Sequence, residues 1–222
     1  LDDSTFQSNT ADKGGGIFAT TGSSVVVVSG HPQSSSALLN NVAHEFGGGI
    51  YLSGQGTRLD VHGTGTQLLV QNNTAKNRGG GVFAQLASAV VLSSGSRVDV
   101  INNVATTGYG GGVYLAGLNT CLNVSGTGTQ LLVQSNVAGA AGGGVFVLSA
   151  SVVTLSLGAH ADVINNTVST TSGIGGGGVV LYSQNTRLDV NGIGTQLVIQ
   201  SNTAQQGGGV VVLEASLAIS GL

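Results

Sequence analysis

Apolar and polar residues alternate along this chain in short runs, and the runs come in sets. Between Gly49 and Asn73 there are three: Ile50-Tyr51-Leu52, Arg58-Leu59-Asp60-Val61 and Gln67-Leu68-Leu69-Val70, separated by Gly or Gly-Thr turns. Alternation with period two sends successive side chains to opposite faces, which is the pattern of a strand. Val, Thr and Gly dominate each set, and all three are poor helix formers. The set then recurs. Gly-Gly-Gly followed by an aliphatic residue occurs seven times, ending at Ile17, Ile50, Val82, Val113, Val145, Val179 and Val210, with gaps of 33, 32, 31, 32, 34 and 31. A period near 32 marks a solenoid. Short strands repeated once per unit pair with their counterparts one unit away, ~4.8 Å along the axis. The pattern therefore predicts an all-β parallel β-helix of about seven coils, three short strands per coil, forming a single domain over residues 1–222.

Parity within the strand after each triplet assigns an inside and an outside. First and third positions are always aliphatic or Ala (Val82/Ala84, Val113/Leu115) and should fill the core. Second positions then face away: Phe18, Tyr51, Phe83, Tyr114, Phe146, Val180 and Val211. Five of the nine aromatics fall in this one column, and Leu148, Tyr182 and Leu213 at fourth positions widen it. The mixture of Phe and Tyr favours an exposed strip, since a buried hydroxyl needs a partner. These ten residues form the predicted interface. Reversed parity, or cover by a loop of the same chain, would instead bury it.

An Asn precedes every triplet: Asn9, Asn41, Asn73, Asn103, Asn136, Asn166 and Asn202. Asn turns a chain readily because it tolerates left-handed geometry. Stacked once per coil, its amide can also bond to the amides above and below. A buried asparagine ladder is the expectation for these seven. The glycines permit positive φ and close passage of backbone.

A second period overlies the first. "GTGTQLLVQNN" (63–73), "GTGTQLLVQSN" (126–136) and "GIGTQLVIQSN" (192–202) are of one type, while "GSRVDVINN" (95–103) and "GAHADVINN" (158–166) are of another. The true unit is a pair of coils, consistent with duplication. Phe6-Gln7-Ser8-Asn9 fits an FxxN motif, and the other six sites keep the Asn with Leu38, Val70, Val100, Val133, Val163 or Ile199 in place of Phe. With the Gly-Gly-Gly-aliphatic triplets, these residues resemble the repeats of chlamydial polymorphic membrane proteins, whose passenger regions carry GG[AG][ILV] and FxxN motifs. The resemblance covers nearly the whole chain. It implies a right-handed β-helix displayed on a cell surface, as an autotransporter passenger or adhesin. The chain opens and closes inside its repeating pattern, as expected of a mature piece or a segment of a longer repeat protein.

Composition narrows the function. Only 7% of the 222 residues are charged, against about 25% in ordinary chains. Six basic residues cannot build a nucleic-acid footprint, so no nucleic-acid partner is expected. The longest apolar runs fall far short of a spanning helix. Cys121 is alone, which excludes an intrachain disulfide. His31, His44, His62 and His160 fall at different coil positions and read as surface residues with no metal spacing, and no cofactor is implied. The calcium nonapeptide pattern is missing, and the Thr-Gly-Thr stretches skip alternate coils, unlike an ice-binding array.

Catalytic β-helices need clustered carboxylates, or a base beside bound calcium. Here the acids are scattered, and Arg58/Asp60, Arg97/Asp99 and Arg187/Asp189 read as outward ion pairs. The expectation is a non-enzymatic extracellular protein, an adhesin, passenger or fibre segment, with self-association, other surface proteins or glycans as partners. The alternative is a carbohydrate-active β-helix whose catalytic residues lie elsewhere or are degenerate. Ends without a visible cap predict that the coils continue or stack end to end.

Overall fold

The structure is a computed structural model that describes residues 1–29, 34–170 and 173–220. It is all β: parallel strands stack as a solenoid of about seven turns, with 27 strands and no helix among the described residues. A turn carries the three strands expected and, through most of the rod, a fourth. In the middle of the rod these are Val82–Gln85, Ala89–Ser93, Arg97–Ile101 and Val104–Ala105. The first three build seven-stranded sheets and the last a six-stranded one, every pairing parallel and to the adjacent coil. The fourth strand is only two residues long there, too short for alternation to reveal.

The register lays equivalent residues in columns. Val82 pairs with Ile50 and Val113, and Phe83 with Tyr51 and Tyr114. Inward positions of the three longer sheets, such as Leu92, Val98 and Leu115, close a continuous apolar core. At the last described coil, Val212 is 40% exposed although its parity is inward, because a neighbouring coil covers it on one side only.

The glycine triplets have one task per residue. Gly79 sits at φ 63°, where a side chain would be strained. A Cβ on Gly80 would lie 2.4 Å from the Gly111 carbonyl oxygen, and one on Gly81 would lie 2.7 Å from that of Gly112 and 3.1 Å from the Asn103 amide. The chain thus turns at the first glycine and passes backbone against backbone at the next two.

Turning and stacking fall to different residues before the triplet. The left-handed residue is the one preceding each ladder asparagine: Asn72 at φ 55°, Asn102 at 55°, Ser135 at 54°. The asparagine that follows is free to stack. Its Nδ2 donates to the next Oδ1, from Asn9 through Asn41, Asn73, Asn103, Asn136 and Asn166 to Asn202, at 2.9–3.0 Å. The second Nδ2 proton goes to a backbone carbonyl of the preceding coil, as from Asn73 to Leu38. Each Oδ1 from Asn41 onward also accepts the backbone N–H of the preceding asparagine. Both donors and both lone pairs of Asn73 are therefore used, as a fully buried amide requires.

The two-coil period resides in the corners. Coils with three-residue corners (Leu86–Ser88, Ser94–Ser96) alternate with coils whose corners have four residues (Gly54–Thr57, Gly63–Thr66). Each four-residue corner ends in a threonine: Thr57, Thr66, Thr120, Thr129, Thr186 and Thr195. Its hydroxyl donates to the carbonyl four residues back. The same hydroxyl accepts an N–H from the corner of the preceding coil, a three-residue corner in five of the six cases. The last threonine of Thr-Gly-Thr is thus a structural clasp, with Thr66 at 1% and Thr129 at 0% exposure.

Candidate interaction faces

The expected aromatic strip is not a surface. Its parity is as expected: Phe18, Tyr51, Phe83, Tyr114 and Phe146 point away from the main core and stack nearly parallel, 5.1–5.6 Å between centroids. Yet Tyr51, Phe83, Tyr114, Phe146 and Val180 are 0–5% exposed, in a second apolar cluster of their own. The cover is the residue immediately before each triplet. Phe46, Arg78, Tyr109, Ala141 and Gly175 bridge one another from coil to coil and lay a lid across the strip. Phe46 stacks on Phe83, and Tyr109 tilts over Phe146. The hydroxyl that argued for exposure finds a partner, since Gln85 Nε2 donates to Tyr51 Oη at 2.9 Å. Leu148 and Val211 are half-buried against this cluster. Of the ten predicted interface residues, only Phe18 (56%), Tyr182 (38%) and Leu213 (40%) are exposed.

Other apolar side chains do reach solvent, at the corners. Leu86 and Leu118 lie on adjacent coils at one corner line, 59% and 69% exposed. Leu157 and Ile193 do the same at the next, 69% and 83% exposed. Leu86 and Leu157 each hold φ at 56°, an unfavourable region for leucine. Isolated leucines inside turns carry no periodic signal that would single them out in the sequence.

The charged groups pair locally. Arg58 grips Asp60 with Nε at 2.6 Å and a terminal nitrogen at 2.7 Å, and this partner raises the guanidinium's pKa. Arg97 donates to Asp99 at 2.9 Å, and Arg187 meets Asp189 at 2.8 Å. Arg58 and Arg187 share a column, with Cys121 midway between them, while Arg97 lies on another sheet. The same spacing joins His160 to Asp162 at 2.9 Å, so this histidine has a partner rather than standing as a lone surface group. His44 and His62 are exposed, and His31 lies outside the described residues. Cys121 is half-buried, and burial pushes its thiol pKa up. Among the described residues, no three of His, Cys, Asp and Glu come together as a metal site. No helix there is long and apolar enough to cross a membrane.

One polar cleft opens in the lid. It is lined by Phe46, Asn77, Arg78, Thr107, Gly108 and Tyr109. The Arg78 guanidinium lies 5.4 Å from the Tyr114 ring centroid, 5.8 Å from that of Phe46 and 6.0 Å from that of Tyr109.

Parallel coils stacked in register, with a buried amide ladder running through them, define a parallel β-solenoid of the repeat-protein class. The first described coil carries a recognised form of that repeat: residues 3–20 match the Chlamydia polymorphic membrane protein repeat. No curated protein matches the chain. Among solved structures, the crystal structure of a TibC-catalysed, hyper-glycosylated TibA55-350 fragment aligns over 97% of this chain and 98% of that one, at 15% identity and a TM-score of 0.15.

Proposed function

We propose that this chain is a non-enzymatic β-helical segment displayed outside the cell, a rod of the adhesin or passenger type. The polymorphic membrane protein repeat at residues 3–20 supports the surface assignment. The observation that carries the non-catalytic reading is the local pairing of charge. Asp60, Asp99, Asp162 and Asp189 are each matched to a base two residues away on their own strand. A glycosidase or lyase needs carboxylates or bases that converge from different strands on one substrate atom. The rod then works through its outer side, holding other surface proteins, further copies or glycans. Its exposed corner pairs, Leu86 with Leu118 and Leu157 with Ile193, are the apolar contact points on offer.

Two measurements test this. Antibody against the purified chain should label intact cells of the organism that makes it, and protease treatment of those cells should remove the label. Incubation with a panel of uronate-containing and neutral polysaccharides should release no new ends. Label that appears only after permeabilisation would refute display, and turnover of any polysaccharide would refute the non-enzymatic reading.

A further inference from the structure

We infer that the cleft around Arg78 binds an acidic sugar, a pyranose carrying a carboxylate. The inference deepens the glycan part of the proposed function. It rests on that reading's accessible outer surface but not on where the chain is displayed, so the two fail separately.

The chain has six lysines and arginines: Lys13, Arg58, Lys76, Arg78, Arg97 and Arg187. Four have a carboxylate partner: Lys13 with Glu45 at 3.3 Å, and the three arginines with their aspartates. Among the described residues Lys76 and Arg78 have none. They lie two positions apart in the chain: Arg78 lines the cleft, and the Lys76 carbonyl accepts from Thr107, which lines it too.

Arg78 is packed among rings, with its N–H donors unused. Three rings surround the guanidinium within 6.0 Å. Yet its side chain makes no hydrogen bond among the described residues. Five N–H donors in a rigid plane match the two oxygens of a carboxylate. A fork already held by rings loses little freedom when it grips that carboxylate. Capping the aromatic stack accounts for the ring contacts, but not for the unused donors or for a second base without a carboxylate partner.

The rest of the cleft suits a sugar ring. Phe46 and Tyr109 are half-exposed and offer apolar surface to the C–H face of a pyranose. Asn77 and the exposed Thr107 supply polar atoms for hydroxyl groups, and Thr107 Oγ1 already lies 3.3 Å from Asn77 Oδ1. A few polar groups beside an apolar platform fix a ligand's orientation. An extended peptide finds no open edge, because the N–H groups of Gly79, Thr107 and Tyr109 already donate to neighbouring coils. A long polyanion is disfavoured by the net charge of −3 and by the few bases, two among the described residues, left without a carboxylate partner to meet it.

The test is calorimetric titration of the purified chain with trigalacturonate and sialyllactose, each against its neutral counterpart, the methyl-esterified trisaccharide and lactose. At least one acidic sugar should bind, and its neutral counterpart should bind about tenfold more weakly or worse, since a charge-assisted fork is lost. Arg78→Gln should lose about tenfold or more of that affinity. Lys76→Glu, at an exposed position outside the packing, should weaken binding several-fold with the melting temperature unchanged; it carries the test if Arg78→Gln does not fold. The proposal is overturned if neither acidic sugar binds at about 10 mM, a concentration that detects even millimolar affinity. It is equally overturned if the neutral sugars bind as well, if acetate binds as tightly as the sugar acid, or if a folded variant binds like the wild type.

Discussion

Replacing Asn73 by leucine isolates what the asparagine column contributes. Four hydrogen bonds disappear. Asn41 loses the acceptor for its backbone N–H and for one side-chain proton, both bonded to Asn73 Oδ1. Asn73 no longer donates to Leu38 or to Asn103. Its own N–H still reaches Asn103 Oδ1, which limits the damage on that side. Two buried donors are left without partners, at about 1–3 kcal/mol each. Burying leucine returns part of this, about 1.5–3 kcal/mol for a well-fitted side chain, but the fit here is poor. A Cβ on Gly49 would already stand 3.2 Å from Asn73 Nδ2, so the added branch has little room. The balance is a loss of about 2–4 kcal/mol, or several degrees in melting temperature for a chain of this size. Thermal and urea denaturation followed by circular dichroism would measure it, with hydrogen exchange to locate opening in the adjoining coils. Asn72→Ser is the control, because Ser8, Ser135 and Ser201 hold the same left-handed position at φ 54–57°. Asn73→Asp adds a pH signature. A carboxylate there can still accept from Asn41, but its oxygen faces Asn103 Oδ1 with no proton between. Burial then raises its folded-state pKa, so stability should recover as pH falls and be lost as pH rises. If Asn73→Leu melts within about one degree of the wild type, or Asn72→Ser falls as far, the ladder energetics argued here are wrong.

Three further outcomes follow from the packing. Phe83→Ala should cost about 3–5 kcal/mol by denaturant melting, because the ring is buried between two parallel neighbours; a loss under about 1 kcal/mol would mean that the lid does not seal the strip. Gly80→Ala should prevent folding or lower stability severely, visible as lost β-sheet circular dichroism, since the new methyl would strike the Gly111 carbonyl at 2.4 Å; a soluble, normally melting variant would contradict the coil-to-coil approach. Burial raises the Tyr114 phenol pKa, against the opposing pull of Arg78. Above about pH 10 the unfolded chain ionises there before the folded one, so stability should fall with rising pH, and Tyr114→Phe should flatten the fall; identical profiles would remove Tyr114 as its source.

The coil architecture was legible because each sheet position repeats its residue class. Glycine at three successive places, asparagine before them and Val/Leu alternation after them are all required by stacking, so each coil states the rule again. From the third such strand onward the fourth face escaped because two residues such as Val104–Ala105 cannot alternate. The lid escaped for a different reason. Its column runs Lys13, Phe46, Arg78, Tyr109, Ala141 and Gly175, with no shared residue type, because the backbone makes the bridges. A signal was still present: three large flat groups stand directly before a glycine triplet on consecutive coils, where they can meet the aromatic column. The inference from tyrosine hydroxyls failed at Gln85, whose amide reaches Tyr51 across one coil, a contact that no single-strand parity argument contains. The Arg78 cleft needed the charge count and the fold together, since only the coil geometry shows which bases lack a partner.

The threonine clasps set the step in which such a rod can change length. Five of the six clasps join a four-residue corner to a three-residue corner of the coil before it, as Thr120 does with Ala87. Removing one coil would place like corners against each other, with a hydroxyl facing a turn of the wrong length. Removing two would restore the match. Recombination that lengthens or trims the rod is therefore expected to survive in increments of two coils, about 9.6 Å at the spacing of paired strands. A ligand cleft placed on one coil would then recur, if copied, at that interval and on the same side of the rod.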